Sequence, residues 1–196
     1  MTAGQCISFP SGLPHRCQAV DAGLAGRLAD LVSAEPWLLR ALDAVAASGL
    51  PEAWIGAGVI RDVIWGRRRD GFDPADVRDI DVAFFDPEDL SGERDQEAQR
   101  VLARLDELPW EATNQAAVHT WFHEYFGGSP VPPFGCVHDA VATWPETATC
   151  VAIRRQPSRP GARHRGLRTA RARRPARHGL AAEPEPGHRR HVGRPP

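Results

Sequence analysis

The order of two short segments constrains this chain more than anything else in it. Trp54-Ile55-Gly56-Ala57-Gly58-Val59-Ile60-Arg61-Asp62 reads as an apolar strand passing through a glycine-rich turn into an amphipathic helix. After a charged loop, Asp79-Ile80-Asp81-Val82 opens a second apolar strand. Side chains two apart on a strand point to the same face, so Asp79 and Asp81 project together while Ile80 and Val82 enter a core. Two carboxylates held side by side repel each other unless a cation sits between them. Mg²⁺ characteristically takes one or two protein carboxylates together with the oxygens of a substrate phosphate. The turn supplies the complement: Gly56, Ala57 and Gly58 let backbone approach a ligand closely, and N–H groups at the start of a helix favour phosphate. Taken singly, each half has a plainer meaning, a solvated strand end or a tight turn. The complete order of strand, turn, helix, loop and strand joins them into one candidate site.

The 196 residues are enough for one ordinary domain with a modest core, but the charge is unevenly distributed. Residues 1–153 carry 11 Arg against 23 Asp and Glu, a formal charge of −12, whereas residues 154–196 carry 13 Arg against 2 Glu, or +11. This divides the chain into a loose N-terminal segment (1–20), a domain (21–153) and an Arg- and Pro-rich tail (154–196). The tail has no Ile, Met, Phe, Tyr or Trp, too little apolar surface to offset the entropy of ordering it, and is expected to be disordered. Its abrupt change of composition reads first as GC-rich coding sequence translated out of frame, and second as a basic arm binding nucleic acid through phosphates. The absence of Lys fits a high-GC bacterial genome. Neither a secretory leader nor an apolar run of about 18 residues is present, so a soluble cytoplasmic protein without membrane contact is expected. Cys6, Cys17, Cys136 and Cys150 lack C-x-x-C spacing, which points to reduced thiols and away from zinc.

Periodicity predicts helices over Ala22–Ser33 and Pro36–Ala47, the second opened by a proline and stopped by Ser48-Gly49. A buried strand Ala53–Gly56 and a helix Val59–Trp65 follow, then a loop to Arg78 and a strand Asp79–Phe85. Further on, helix Glu93–Leu105, strand Trp110–Thr113, helix Gln115–Tyr125, helix Val137–Thr143 and strand Ala148–Ile153 complete the pattern. Strands alternating with helices imply an α/β or α+β layered fold.

Four segments, Trp54–Trp65, Asp79–Asp86, Trp110–His119 and Trp144–Thr149, together resemble a bacterial family of nucleotidyltransferase-like proteins within the polymerase β-like nucleotidyltransferase superfamily, with a more distant likeness to tRNA CCA-adding enzymes. The resemblance covers roughly residues 35–153. It implies a mixed β-sheet flanked by helices and a metal-dependent transfer of a nucleoside monophosphate from an NTP to an acceptor hydroxyl on RNA, protein or a small molecule. It implies Asp79 and Asp81 as ligands of Mg²⁺ or Mn²⁺, Gly56, Ala57 and Gly58 as phosphate contacts, and Arg61 as a partner of phosphate or of a carboxylate of the site. Glu111 is the candidate third catalytic carboxylate, its alternative being an exposed strand residue. Compared with the family pattern, the loop between the glycines and the aspartates is long and carries Arg67, Arg68 and Arg69, and the family continues as ordered structure where this chain becomes tail. Two competing classes are a catalytically inactive nucleotide-binding or regulatory module of the same fold, and an RNA-binding protein acting through the tail.

Other side chains have two readings each. Asn114 is a candidate base or ribose contact or a helix cap. Trp65 and Trp121 are candidate stacking platforms or core residues, and Arg67–Arg69 either steer a polyanion or face solvent. His119 and His123 share a helix face, but Glu124 follows the second His where H-E-x-x-H needs it between them.

Overall fold

The computed structural model describes residues 22–68, 71–144, 146, 148–155 and 167–171. Its elements are α1 (Ala22–Ser33), α2 (Pro36–Ala47), β1 (Trp54–Gly56), α3 (Ala57–Arg68), β2 (Ile80–Phe84), α4 (Gly92–Leu105), β3 (Trp110–Asn114), α5 (Val118–Phe126), α6 (Val137–Thr143), β4 (Val151–Arg155) and β5 (Leu167–Arg171), with a single 3₁₀ turn at Pro74–Asp76. The strands form one mixed sheet in the order β3-β2-β1-β4-β5. Only β2 and β3 run parallel; β1 is antiparallel to both β2 and β4, and β4 to β5. This is the α+β architecture the alternating pattern implies.

Alternation along the strands sorts the two faces. Ile55, Ile80, Val82, Phe84, Ala112 and Ile153 lie on one face, buried against Leu38 and Leu42 of α2, Val59, Ile60 and Val63 of α3, and Ala98 and Leu102 of α4. Each fully buried aliphatic or aromatic side chain there contributes about 1.5–3 kcal/mol, so this face anchors the domain. The opposite face carries a smaller cluster, Trp54, Ala83 and Ala152, covered by Val137 and Val141 of α6. Trp54 is clasped there by the Arg154 guanidinium, 4.5 Å from its ring centre, and by His138, whose ring lies 4.9 Å away centre to centre and at 77° to it.

Helix α2 follows its sequence signals. Pro36 occupies the first turn, Ser48 Oγ donates to the Val45 carbonyl at 2.7 Å, and Gly49 adopts a left-handed φ of 74°, which a residue without Cβ takes at little cost.

The sheet continues past Ile153, where the tail was expected to begin. Strand β4 extends to Arg155, whose Nε and Nη2 each reach a different oxygen of Asp43 on α2 at 2.9 Å. Strand β5 then pairs along the whole of β4, from Val151 opposite Arg171 to Arg155 opposite Leu167. The expectation of disorder rested on side-chain apolarity, but strand pairing is made by backbone N–H and C=O groups that an Arg-rich segment supplies equally well. The remaining tail and residues 1–21, with Cys6 and Cys17, lie outside the described residues. Cys136 and Cys150 are buried and not joined in a disulfide, and Cys150 Sγ donates to the Trp144 carbonyl at 2.9 Å. Among the described residues no helix is long and apolar enough to cross a membrane.

Candidate active site at the β1–α3 turn

Strand β1 ends at Gly56 and α3 begins at Ala57 with no intervening loop. Such an abrupt reversal needs unusual backbone, and Ala57 supplies it with a φ of 53°, a left-handed conformation that costs a residue with a Cβ about 1 kcal/mol. Gly56 is required for a different reason. A Cβ there would lie 2.5 Å from the Trp144 ring, which packs against the turn.

Gly58 faces the carboxylates. Its N–H donates to Asp81 Oδ2 at 3.4 Å, and a Cβ built on it would lie 3.9 Å from an oxygen of Asp79, 3.9 Å from an oxygen of Asp81 and 3.5 Å from Arg61 Nη2. Both aspartates and the arginine therefore converge on one small space that exists because residue 58 has no side chain. Asp79 precedes β2 and Asp81 lies within it, both half-buried, as alternation predicts.

Glu111 joins them through strand register. In the parallel pair β2–β3, Asp81 stands opposite Glu111; residues so paired present their side chains on the same face of adjacent strands, about 4.8 Å apart. Half-buried Glu111 thus flanks Asp81 on the face away from the main core.

Arg61 lies one helical turn beyond Gly58. Its Nε donates to Asp62 Oδ1 at 2.8 Å and its Nη1 to Glu146 Oε2 at 3.3 Å. The hydrogen bond to Asp62, reinforced by the charges of Asp62 and Glu146, raises its pKa above the usual arginine value against the opposing effect of burial, so it is a fixed cation. Glu146 and Trp144 come from the loop before β4. Sequence reasoning gave neither a role, although both stand in the Trp144–Thr149 segment it singled out. Thr149 Oγ1 donates to the Glu146 carbonyl at 3.0 Å and holds that loop in shape.

Other candidates lie elsewhere. Asn114 is fully buried at 0 % exposure. Its Oδ1 accepts from the N–H groups of Asp86 and Ala116, and its Nδ2 donates to the carbonyls of Asp86 and Asp89 at 2.7 and 2.8 Å. Every hydrogen-bonding position of the amide is used, so it clamps the chain and has none left for a nucleotide. Trp121 is buried against Phe122 and Phe126, whereas Trp65 is exposed. Arg67 pairs with Glu35 and donates to the Ala34 carbonyl, tying α3 to the α1–α2 junction; the side chains of Arg68 and Arg69 lie outside the described residues. His119 Nδ1 contacts the Ala116 carbonyl at 2.9 Å. Among the described residues no three His, Cys, Asp or Glu side chains form a metal cage. A divalent cation of the Mg²⁺ type does not need one when substrate phosphates complete its shell, and the cradle at Gly58 with its two carboxylates fits that requirement.

A family model described as "Nucleotidyltransferase" matches residues 43–161, a span holding the turn, Arg61, both aspartates, Glu111 and Glu146. No curated protein matches the chain. A solved structure described as "The NMR structure of the protein reveals a CCA-adding enzyme head domain" is similar to it, with a TM-score of 0.54 and 28% identity over 66% of this chain and 64% of that one. The chain thus spans less than two thirds of that structure's length. With the family model covering more than half of its residues, the chain belongs to the nucleotidyltransferase family.

Proposed function

We propose that this protein transfers a nucleoside monophosphate from an NTP to an acceptor hydroxyl, in a reaction dependent on Mg²⁺ or Mn²⁺. The observation that carries the reading is the space beside Gly58, where a helix N-terminus, two carboxylates and a cationic Arg meet. A divalent ion held by Asp79 and Asp81 would neutralise triphosphate charge and lower the pKa of the attacking hydroxyl. The first-turn N–H groups of α3 bind phosphate oxygens, and Arg61 adds a fixed positive charge. Glu111, next to Asp81, accepts the hydroxyl proton. The acceptor oxygen bonds to the α-phosphorus as the bond to the bridging oxygen breaks, and pyrophosphate leaves. The acceptor, whether RNA, protein or a small molecule, is set by surfaces beyond this cradle.

Pyrophosphate release from each of the four NTPs with Mg²⁺, over acceptors spanning total RNA, protein and small hydroxyl compounds, tests the reading. Asp81→Ala is expected to abolish release, and Glu111→Gln to slow it by about 100-fold or more while still binding nucleotide. Release that survives Asp81→Ala undiminished would refute the assignment. Nucleotide binding without release from any acceptor would favour the inactive module of the same fold.

A further inference from the structure

We propose that Trp65 is the platform on which the nucleobase of the bound triphosphate stacks, a deepening that rests on the function proposed above. Three observations converge on it. Trp65 keeps 48% of its surface exposed, although a tryptophan has more apolar area to bury than any other residue, and the other tryptophans of the domain lie buried or half-buried. It stands seven residues after Gly58, and Gly58, Arg61 and Trp65 follow the i, i+3, i+7 spacing that lines one stripe of α3, opposite the buried Val59, Ile60 and Val63. The Arg61 guanidinium lies 5.6 Å from the Trp65 ring centre, so phosphate-binding cation and aromatic ring are contiguous.

The distances suit a nucleotide. Seven residues of helix span about 10 Å, within the reach of a nucleoside triphosphate whose phosphates lie at the helix start. An exposed ring next to an arginine is the chemistry that holds bases, because every base offers a π-face and the guanidinium strengthens the stack. A ring used in this way distinguishes a nucleotide from inorganic polyphosphate while discriminating little among the four bases.

The test compares ATP with inorganic tripolyphosphate, each with Mg²⁺, by isothermal titration into the full chain and into the Trp65→Ala and Trp65→Phe variants. The expected result is an ATP affinity reduced about tenfold or more in Trp65→Ala, largely restored in Trp65→Phe, with tripolyphosphate affinity unchanged throughout. Unchanged ATP affinity in Trp65→Ala, or an equal loss for both ligands, would overturn the platform and leave the phosphate site standing. Failure of the unmodified chain to bind either ligand would overturn the nucleotide site itself and the platform with it.

Discussion

Gly58 matters because of the volume it leaves open. Its φ lies outside the left-handed region, and a Cβ would make only ordinary contacts of 3.5–3.9 Å, so alanine fits without strain. Gly58→Ala is therefore expected to fold, with thermal stability equal to the parent or higher by up to about 1 kcal/mol from the better helix former. The methyl group would occupy the meeting point of Asp79, Asp81 and Arg61, and NTP affinity in the presence of Mg²⁺ is expected to fall at least about tenfold, roughly 1.4 kcal/mol. A variant that melts normally and binds nucleotide as before would show that the cradle is not the phosphate site. The two aspartates were legible in the sequence because strand alternation alone places them together. Glu146 was not, since 85 residues separate it from Arg61 and nothing local announces such a pairing. The left-handed Ala57 was hidden for another reason: alanine at that position gives no sign of the conformation that a glycine would have advertised.

The parallel pairing of β2 with β3 brings Glu111 to Asp81, and register of that kind cannot be read from one strand at a time. What fixes it lies at the far end of the pair. Asn114 ties the end of β3 to the Asp86–Asp89 turn after β2, while Asp95 of α4 accepts from the Asn114 N–H at 2.7 Å. Asn114→Ala would leave several backbone groups without partners and is expected to cost about 2–3 kcal/mol, seen as a lower denaturant midpoint. A midpoint within about 0.5 kcal/mol of the parent would show that the clamp is dispensable. Asn114 read equally as ligand contact or cap because an amide beside a turn has the same local signature in both roles; only the approach of the distant Asp86 turn decides. The same clamp explains why α5 begins at Val118 and not at Gln115. Asn114 Oδ1 accepts from the Ala116 N–H and the Asn114 carbonyl from that of Ala117, which holds the intervening residues as a turn. Helices and strands with strong apolar periodicity, such as α2 and β2, were legible to within a residue or two, whereas the start of α5 moved because the bonds of Asn114 hold the residues after it as a turn.

Across the whole molecule, the two faces of the sheet divide the work. One buries Ile55, Ile80, Val82 and Phe84 against three helices, and the other carries Asp81 and Glu111 at one end and the Trp54 cluster under α6 at the other. A rigid apolar face behind a charged one keeps the carboxylates in place despite their repulsion. The composition change near Arg154 was a sound observation about charge but a poor guide to where the sheet ends, because Arg155 and the β4–β5 pairing depend on an ion pair and on backbone groups that composition does not report. The proposed function requires Asp79 and Asp81 to form one metal-dependent nucleotide site with the β1–α3 turn. Isothermal titration of ATP, CTP, GTP and UTP into the full chain and into its Asp79→Ala/Asp81→Ala variant, each with Mg²⁺ and again with excess EDTA, tests it most directly. Binding by the parent chain is expected to require Mg²⁺ and to be lost in the double variant, whose melting matches the parent; equal binding with EDTA, or by the folded double variant, would contradict the proposed site.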